Sequence, residues 1–210
     1  MKFFIFLFIF TTTIFATQIN DSLLKIHAVL VPKIALMDYE FKQKIDNDSI
    51  VIALMYDMVN YKDALSLKEK IDTKYKDGIK NYSIKTKLVL YSKIGNTKAN
   101  IYYIFPTRVK NIQKVVKKAD FTQALTFSYS NDDLKYGVML SLIVGSKIKP
   151  LINLTAIKSG EITFRPILLD ISAIYTNDIS DILKSIHNRG SIQNSTYIAL
   201  LSIKTAKADS

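Results

Sequence analysis

The chain has no cysteine. That excludes a disulfide framework, a lipid attached through a lipobox cysteine, and any thiol nucleophile. Histidine is almost as scarce: His27 and His187 stand alone, without a second histidine or a carboxylate at metal-ligand spacing. The six glycines are scattered singly, so neither a glycine-rich phosphate loop nor a Gly-x-Ser-x-Gly elbow is present. Arginine is confined to Arg108, Arg165 and Arg189, so the 29 cationic residues are overwhelmingly lysine. Lysine-dominated charge argues against nucleic acid, because bases and phosphates favour the arginine fork. No run beyond the amino terminus reaches the roughly 18 apolar residues of a membrane span. These absences lead to the expectation of a chain that is not an enzyme, with no catalytic, metal or cofactor site and no nucleic-acid partner.

What is present suits a single domain. The chain has 210 residues, 49% of them hydrophobic, which is ample for a real core. Met1-Lys2 is followed by an apolar run from Phe3 to Phe15, interrupted by Thr11-Thr12-Thr13. Residues 1–16 read as a secretory signal peptide cleaved after Ala16, with an uncleaved anchor as the alternative because Ile14 is not a small residue. The processed chain is expected to be soluble and periplasmic. The full chain carries a formal net charge of +11, which becomes 11 − 1 = +10 once residues 1–16, with Lys2 as their one charged side chain, are removed. This fits a solvated basic surface, or a peripheral attraction to anionic lipid heads or to an acidic partner near the membrane.

Along the chain, Asp21-Ser22 is expected to cap a helix from Leu23, with a broad apolar face and a kink or break at Pro32. His27 lies on that face as a packed, hydrogen-bonded residue. Ser49 to Tyr56 is a continuous apolar strand of the kind covered on both faces. An amphipathic, lysine-rich helix over 61–75 follows, stopped by Asp77-Gly78. Ile84 to Tyr91 and Asn100 to Phe105 read as strands, and Thr107 as the cap of a helix over 108–119.

From Ala124 to Tyr175 three apolar runs come in quick succession: 125–129, 138–144 and 148–154. Gly145-Ser146-Lys147 has the length and chemistry of a β-hairpin turn. Pro150 predicts an edge strand or a bulge at that point. Pro166 opens a helix whose apolar spacing is read through Ile174 and Tyr175. The fold class is therefore α/β: a single domain with a mostly parallel or mixed sheet flanked by helices, and a C-terminal β-hairpin and helix.

Gly137-Val138-Met139, Lys147, Ile152-Asn153-Leu154, Ala156 and Leu168-Leu169 occur in an order that resembles the YfiR-like (HmsC-like) family of periplasmic regulators. The helix from Leu23 to Ala35 sits where that family places its first helix. The resemblance covers residues 21–176 as an order of elements, and leaves 177–210 as a C-terminal extension. Many members carry paired cysteines, which this chain lacks, so its hydrophobic core must hold the fold alone. The resemblance implies a protein that binds the periplasmic region of a membrane-anchored diguanylate cyclase and represses it, controlling cyclic-di-GMP output and biofilm behaviour. The alternative is a periplasmic small-molecule binding protein, such as a transporter accessory.

In open α/β sheets, ligands bind beyond the carboxyl ends of strands. Ser128, Tyr129, Ser130 and Asp132, at the end of the fourth strand, are the candidate residues for a small polar ligand or a partner. Their competing role is to cap a following turn of helix. Arg165, an arginine between Phe164 and Pro166 in a lysine-rich chain, is the other candidate. It would grip a carboxylate or phosphate, or else form a surface salt bridge. The carboxylate pair Asp132-Asp133 reads as a cap or a solvated loop rather than an acid/base couple.

Overall fold

The strand β1 (Ser49–Tyr56) sets the architecture. Its Ile50, Ile52, Leu54 and Tyr56 enter one buried cluster, while Ala53 and Met55 enter another on the opposite face. A strand that is apolar on both faces needs a layer on each side. The computed structural model describes residues 19–176. The expected signal peptide over 1–16 and the extension over 177–210 lie outside the described residues.

Strands β2 (Ser83–Leu90) and β3 (Ile101–Ile104) flank β1, both parallel to it. β4 (Leu125–Ser128) continues the parallel sheet beside β3, and β5 (Leu140–Val144) beside β4. β6 (Ile148–Asn153) returns antiparallel to β5, and β7 (Ala173–Tyr175) runs parallel to β6. The order of the seven strands is β2-β1-β3-β4-β5-β6-β7. Helices α1 (Asp21–Ala35) and α2 (Tyr61–Lys74) bury Leu24, Val31, Leu67 and Ile71 on the Ile52 face. Helix α3 (Val109–Thr122) buries Ile112, Val115 and Ala119 on the Met55 face. The short helices α4 (Leu154–Ser159) and α5 (Pro166–Ile171) add Ala156, Ile157 and Leu168 to the first layer. The expected α/β architecture, with parallel strands, flanking helices and a hairpin, is the observed one. On the outer strand β2, Lys85 and Lys87 are exposed, which guards the edge against pairing with another chain.

Several local expectations are corrected. The cap of α1 is Asn20, not Asp21-Ser22: its Oδ1 accepts from the Ser22 N–H at 2.8 Å and from the Leu23 N–H at 3.3 Å. Asn20 keeps the extended backbone a cap requires, and Asp21 is already helical, placed where its charge favours the helix start. The helix does not divide at Pro32, which lies in its last turn and removes one internal bond, to the Ala28 carbonyl. β5 starts at Leu140, with Val138 and Met139 fully buried just before it. Beyond Ile171 the chain does not stay helical: Ala173, Ile174 and Tyr175 pair with Leu151, Ile152 and Asn153. The missing donor of Pro150 is accommodated because β7 begins only opposite Leu151, leaving β6 an edge at Pro150.

His27 ties α1 to the sheet. It is fully buried, its Nδ1 lies 2.7 Å from the Tyr103 hydroxyl, and its ring meets Tyr103 and Phe127 edge-on. Its Nε2 is buried without a partner among the described residues. Burial lowers its pKa to about 4. The folded state therefore holds the imidazole neutral while the unfolded chain still binds a proton. Its contribution is full above pH 6.5, the ordinary value, and is lost as pH falls from there toward 4. Urea unfolding at pH 7 and pH 4.5 checks this: His27→Leu should flatten the fall in stability between the two by about 2–3 kcal/mol. In the same assay Leu54→Ala should cost about 2–5 kcal/mol. Phe121→Ala, at a side chain 86% exposed, should change stability by no more than about 0.5 kcal/mol.

Candidate functional site at the carboxyl edge of the sheet

The strand order places a topological switch point between β1 and β3. From β1 the chain moves outward through α2 to β2 on one face. From β3 it moves the other way through α3 to β4 on the other face. The connections that leave β1 and β3 therefore part and open a crevice at their carboxyl ends.

That crevice is laced with side-chain hydrogen bonds. The Asn111 amide donates to Thr107 Oγ1 at 2.9 Å, and the Thr107 hydroxyl donates to Asp57 Oδ2 at 2.5 Å. Thr107 thus does not cap α3, as its position suggested. The cap is Arg108, without a side-chain bond, because the Thr107 hydroxyl is committed to Asp57 across the crevice. Asn60, buried where Asp57, Thr107 and Asn111 are half-buried, donates to the Pro106 carbonyl at 2.8 Å and locks the turn after β1 onto the turn after β3. Below them the buried Tyr91 hydroxyl donates to the Phe105 carbonyl at 2.7 Å. Burial, and then the charges of Asp57 and Asp133, hold that phenol well above its ordinary pKa.

Above this network stands an apolar crest. Met58 and Val59, in the turn after β1, are 69% and 76% exposed, and Tyr61 and Val109, the first residues of α2 and α3, are exposed as well. Lys62, Arg108 and Lys110, the sequence neighbours of Tyr61 and Val109, are exposed.

The pleat divides the candidate residues of β4. Ser128 is fully buried, donates to Asp133 Oδ2 at 2.5 Å and accepts from the Ser130 N–H at 3.1 Å. Tyr129 points to the opposite face, where its hydroxyl accepts from the Asn20 N–H at 2.9 Å and its ring lies 5.7 Å from that of His27. Ser130 accepts from the Asp132 N–H at 3.3 Å and caps the 3-10 turn Asn131–Tyr136, with Asp132 exposed in its first turn. Asp133 is not a solvated loop residue. It is buried, which raises its carboxyl pKa, while the Ser128 hydroxyl pulls it down.

Arg165 lies at the other edge of the sheet. Its N–H donates to the Met37 carbonyl at 2.8 Å, beyond the end of α1, whereas Tyr129 meets the start of that helix. Fifteen helical residues separate the two by about 22 Å. Its guanidinium sits 5.7 Å from the Tyr39 ring, a cation–π contact. Phe164 is turned into the core instead, by its bridge to Asp38. The structure thus gathers Ser128, Ser130 and Asp132 near the crevice, directs Tyr129 under α1, and keeps Arg165 apart.

Sequence reasoning missed Asp57, Asn60, Tyr91 and Asn111, and read Thr107 as a helix cap. Asp57 follows the last residue of β1, and Thr107 stands shortly after β3. The strand-end rule that singled out Ser128 applied equally to them. Among the described residues, no group of three or more histidine or acidic side chains is placed to hold a metal. No described helix is long and apolar enough to cross a membrane.

No family model matches the chain, and no curated protein does. Among solved structures, a conserved domain protein from Vibrio cholerae O1 biovar El Tor superposes with a TM-score of 0.52 at 14% identity, over 73% of this chain and 60% of that one. An ABC domain in complex with L-Trp from Streptococcus pneumonia superposes with a TM-score of 0.50 at 11% identity, over 72% of this chain and 61% of that one. The chain thus spans about three-fifths of each neighbour's length. The likeness is one of fold.

Removing the hydroxyl that supports the buried carboxylate should be costly. Ser128→Ala is expected to lose about 1–3 kcal/mol at pH 7, and less at pH 3.5, where Asp133 is protonated and needs no donor. Urea unfolding at the two pH values checks both the loss and its direction.

Proposed function

We propose that this protein is an exported regulatory interaction protein that, in the manner of the YfiR-like repressors it resembles, binds the periplasmic region of a membrane-anchored diguanylate cyclase and restrains it. The observation that carries the reading is the crest at the switch point. Met58, Val59, Tyr61 and Val109 are exposed there, while Asp57, Thr107, Asn111 and Asn60 beneath them are already bonded to one another or to backbone. A solute site needs polar groups free to meet the ligand inside a concavity. A protein contact needs exposed apolar anchors held on a rigid base. The second of these is what the carboxyl edge offers, and hydrogen bonds within the base keep the anchors in place. Repression follows if the crest binds the inactive conformation of the cyclase more tightly than the active one.

One comparison favours a second reading, a periplasmic solute-binding protein: the chain shares its fold with a domain described in complex with L-Trp. Thermal melts with amino acids and other small polar solutes address it, because a ligand at about 100 times its Kd stabilises by about 2.7 kcal/mol.

The direct test is capture of membrane proteins from detergent extracts of the source cells, using protein processed by export. A cyclase should be recovered with the wild-type chain, and recovery should fall at least about tenfold with Met58→Asp/Val59→Asp. Equal recovery with the variant, or no cyclase with the wild type, overturns the regulatory reading. A thermal shift with a solute would move the assignment to the binding protein.

A further inference from the structure

The hairpin of β5 and β6 has a surface unlike the crest. Phe127 is level with Leu140, so Ser128, the last residue of β4, is level with Ser141. Leu142, Ile143 and Val144 then carry the hairpin about 10 Å past the end of β4. Every residue from Val144 to Lys149 is exposed. The paired residues Val144 and Ile148 are 52% and 43% exposed, and Ile171, entering β7 beside β6, is 54% exposed. Among the described residues, a Cβ built on Gly145 would meet no heavy atom within 4 Å, so the turn is open at that point.

The charge of this tip has one sign. No acidic residue occurs between Lys135 and Gly160. Lys147 and Lys149 make no ion pair among the described residues. At the crest, by contrast, Asp57 and Asp63 are mixed with the cations.

We propose that the β5–β6 hairpin tip is a membrane-docking element, which lodges Val144, Ile148 and Ile171 among the headgroups of an anionic bilayer while Lys147 and Lys149 meet the lipid phosphates. Two features favour a bilayer over a protein. The apolar side chains are few, one cross-strand pair of Val144 and Ile148 with Ile171 at a helix end, so they offer a small wedge for insertion rather than the broad apolar core of a protein contact. The cations are lysines, compact charges on flexible stems that suit many headgroup positions and not one fixed fork. The proposal concerns a different surface from the crest and stands without the cyclase.

The test uses protein processed by export and vesicles of phosphatidylcholine with about a third phosphatidylglycerol, against phosphatidylcholine alone. Wild-type protein should pellet with the anionic vesicles and be released as salt rises. Lys147→Gln/Lys149→Gln should weaken the partitioning about 30-fold, and Val144→Ser/Ile148→Ser about tenfold or more. Phe121→Ser, at the far edge of the sheet, should leave it unchanged. The chain has no tryptophan, so Ile148→Trp supplies a single reporter whose emission should shift to the blue on anionic vesicles. Equal binding to neutral vesicles, unchanged binding by both double variants, or pelleting without an emission shift overturns the proposal. So does a double variant that still binds vesicles but no longer captures a membrane protein, because the hairpin is then a protein contact.

Discussion

A strand that must be dry on both faces constrains everything around it. β1 carries branched and aromatic side chains toward α1 and α2, and alanine and methionine toward α3. It also needs hydrogen-bonding partners at both edges, because an unpaired backbone donor in the interior costs as much as a lost bond. β2 and β3 meet that need from opposite sides, and meeting it forces the chain to reverse its direction of travel across the sheet. The crevice between the turns after β1 and β3 is the geometric result. The exposed crest and the polar network under it exist where they do because β1 sits where it does.

The carboxyl edge has two surfaces of different chemistry along one rim. Over the switch point, the side chains of Asp57, Thr107, Asn111 and Asn60 knit two turns together, and the apolar residues above them inherit that rigidity. Over the hairpin, no such network exists among the described residues, and lysine is the sole charge. The proposed protein contact at the crest and the proposed bilayer contact at the hairpin would both lie on this one rim. The amino edge is held differently, by the Asp38–Lys44 ion pair at 2.8 Å, with both side chains largely buried. That pair fixes the link after α1, against which Phe164 and Arg165 are docked.

The run SIVIALMY announced β1 with its observed limits, because seven apolar residues follow Ser49 without a break and acidic residues, Asp48 and Asp57, stand on either side. The Gly145-Ser146-Lys147 turn announced the hairpin for an equally local reason, and the glycine after Asp77 marked the end of α2, adopting φ +79. The site was legible only in part. Ser128 and Ser130 stood out because hydroxyl, amide and carboxylate residues crowd together there. Asp57 and Thr107 lie fifty residues apart in sequence and meet only because β3 pairs with β1. Strand order is set by crossover geometry, which leaves no mark in residue spacing. The cap of α1 and the fate of Ile174 and Tyr175 were misread for related reasons. The first depended on which residue kept an extended backbone, and the second on an open edge of β6 that a distant segment could fill.

The β5–β6 pair is the one antiparallel pairing between the described strands, and it closes over three residues. Hairpins of this kind form in about 1–10 μs. Each parallel pair must wait for a crossover to bring distant segments together, which is intrinsically slower. The part of the sheet nearest the C-terminus is therefore the part able to assemble first, while β1, the most apolar strand, stays uncovered until β2 and β3 arrive. For a chain that emerges amino end first, the most aggregation-prone segment is also the one exposed longest. Its rate of productive folding should depend on how soon β3 follows it out.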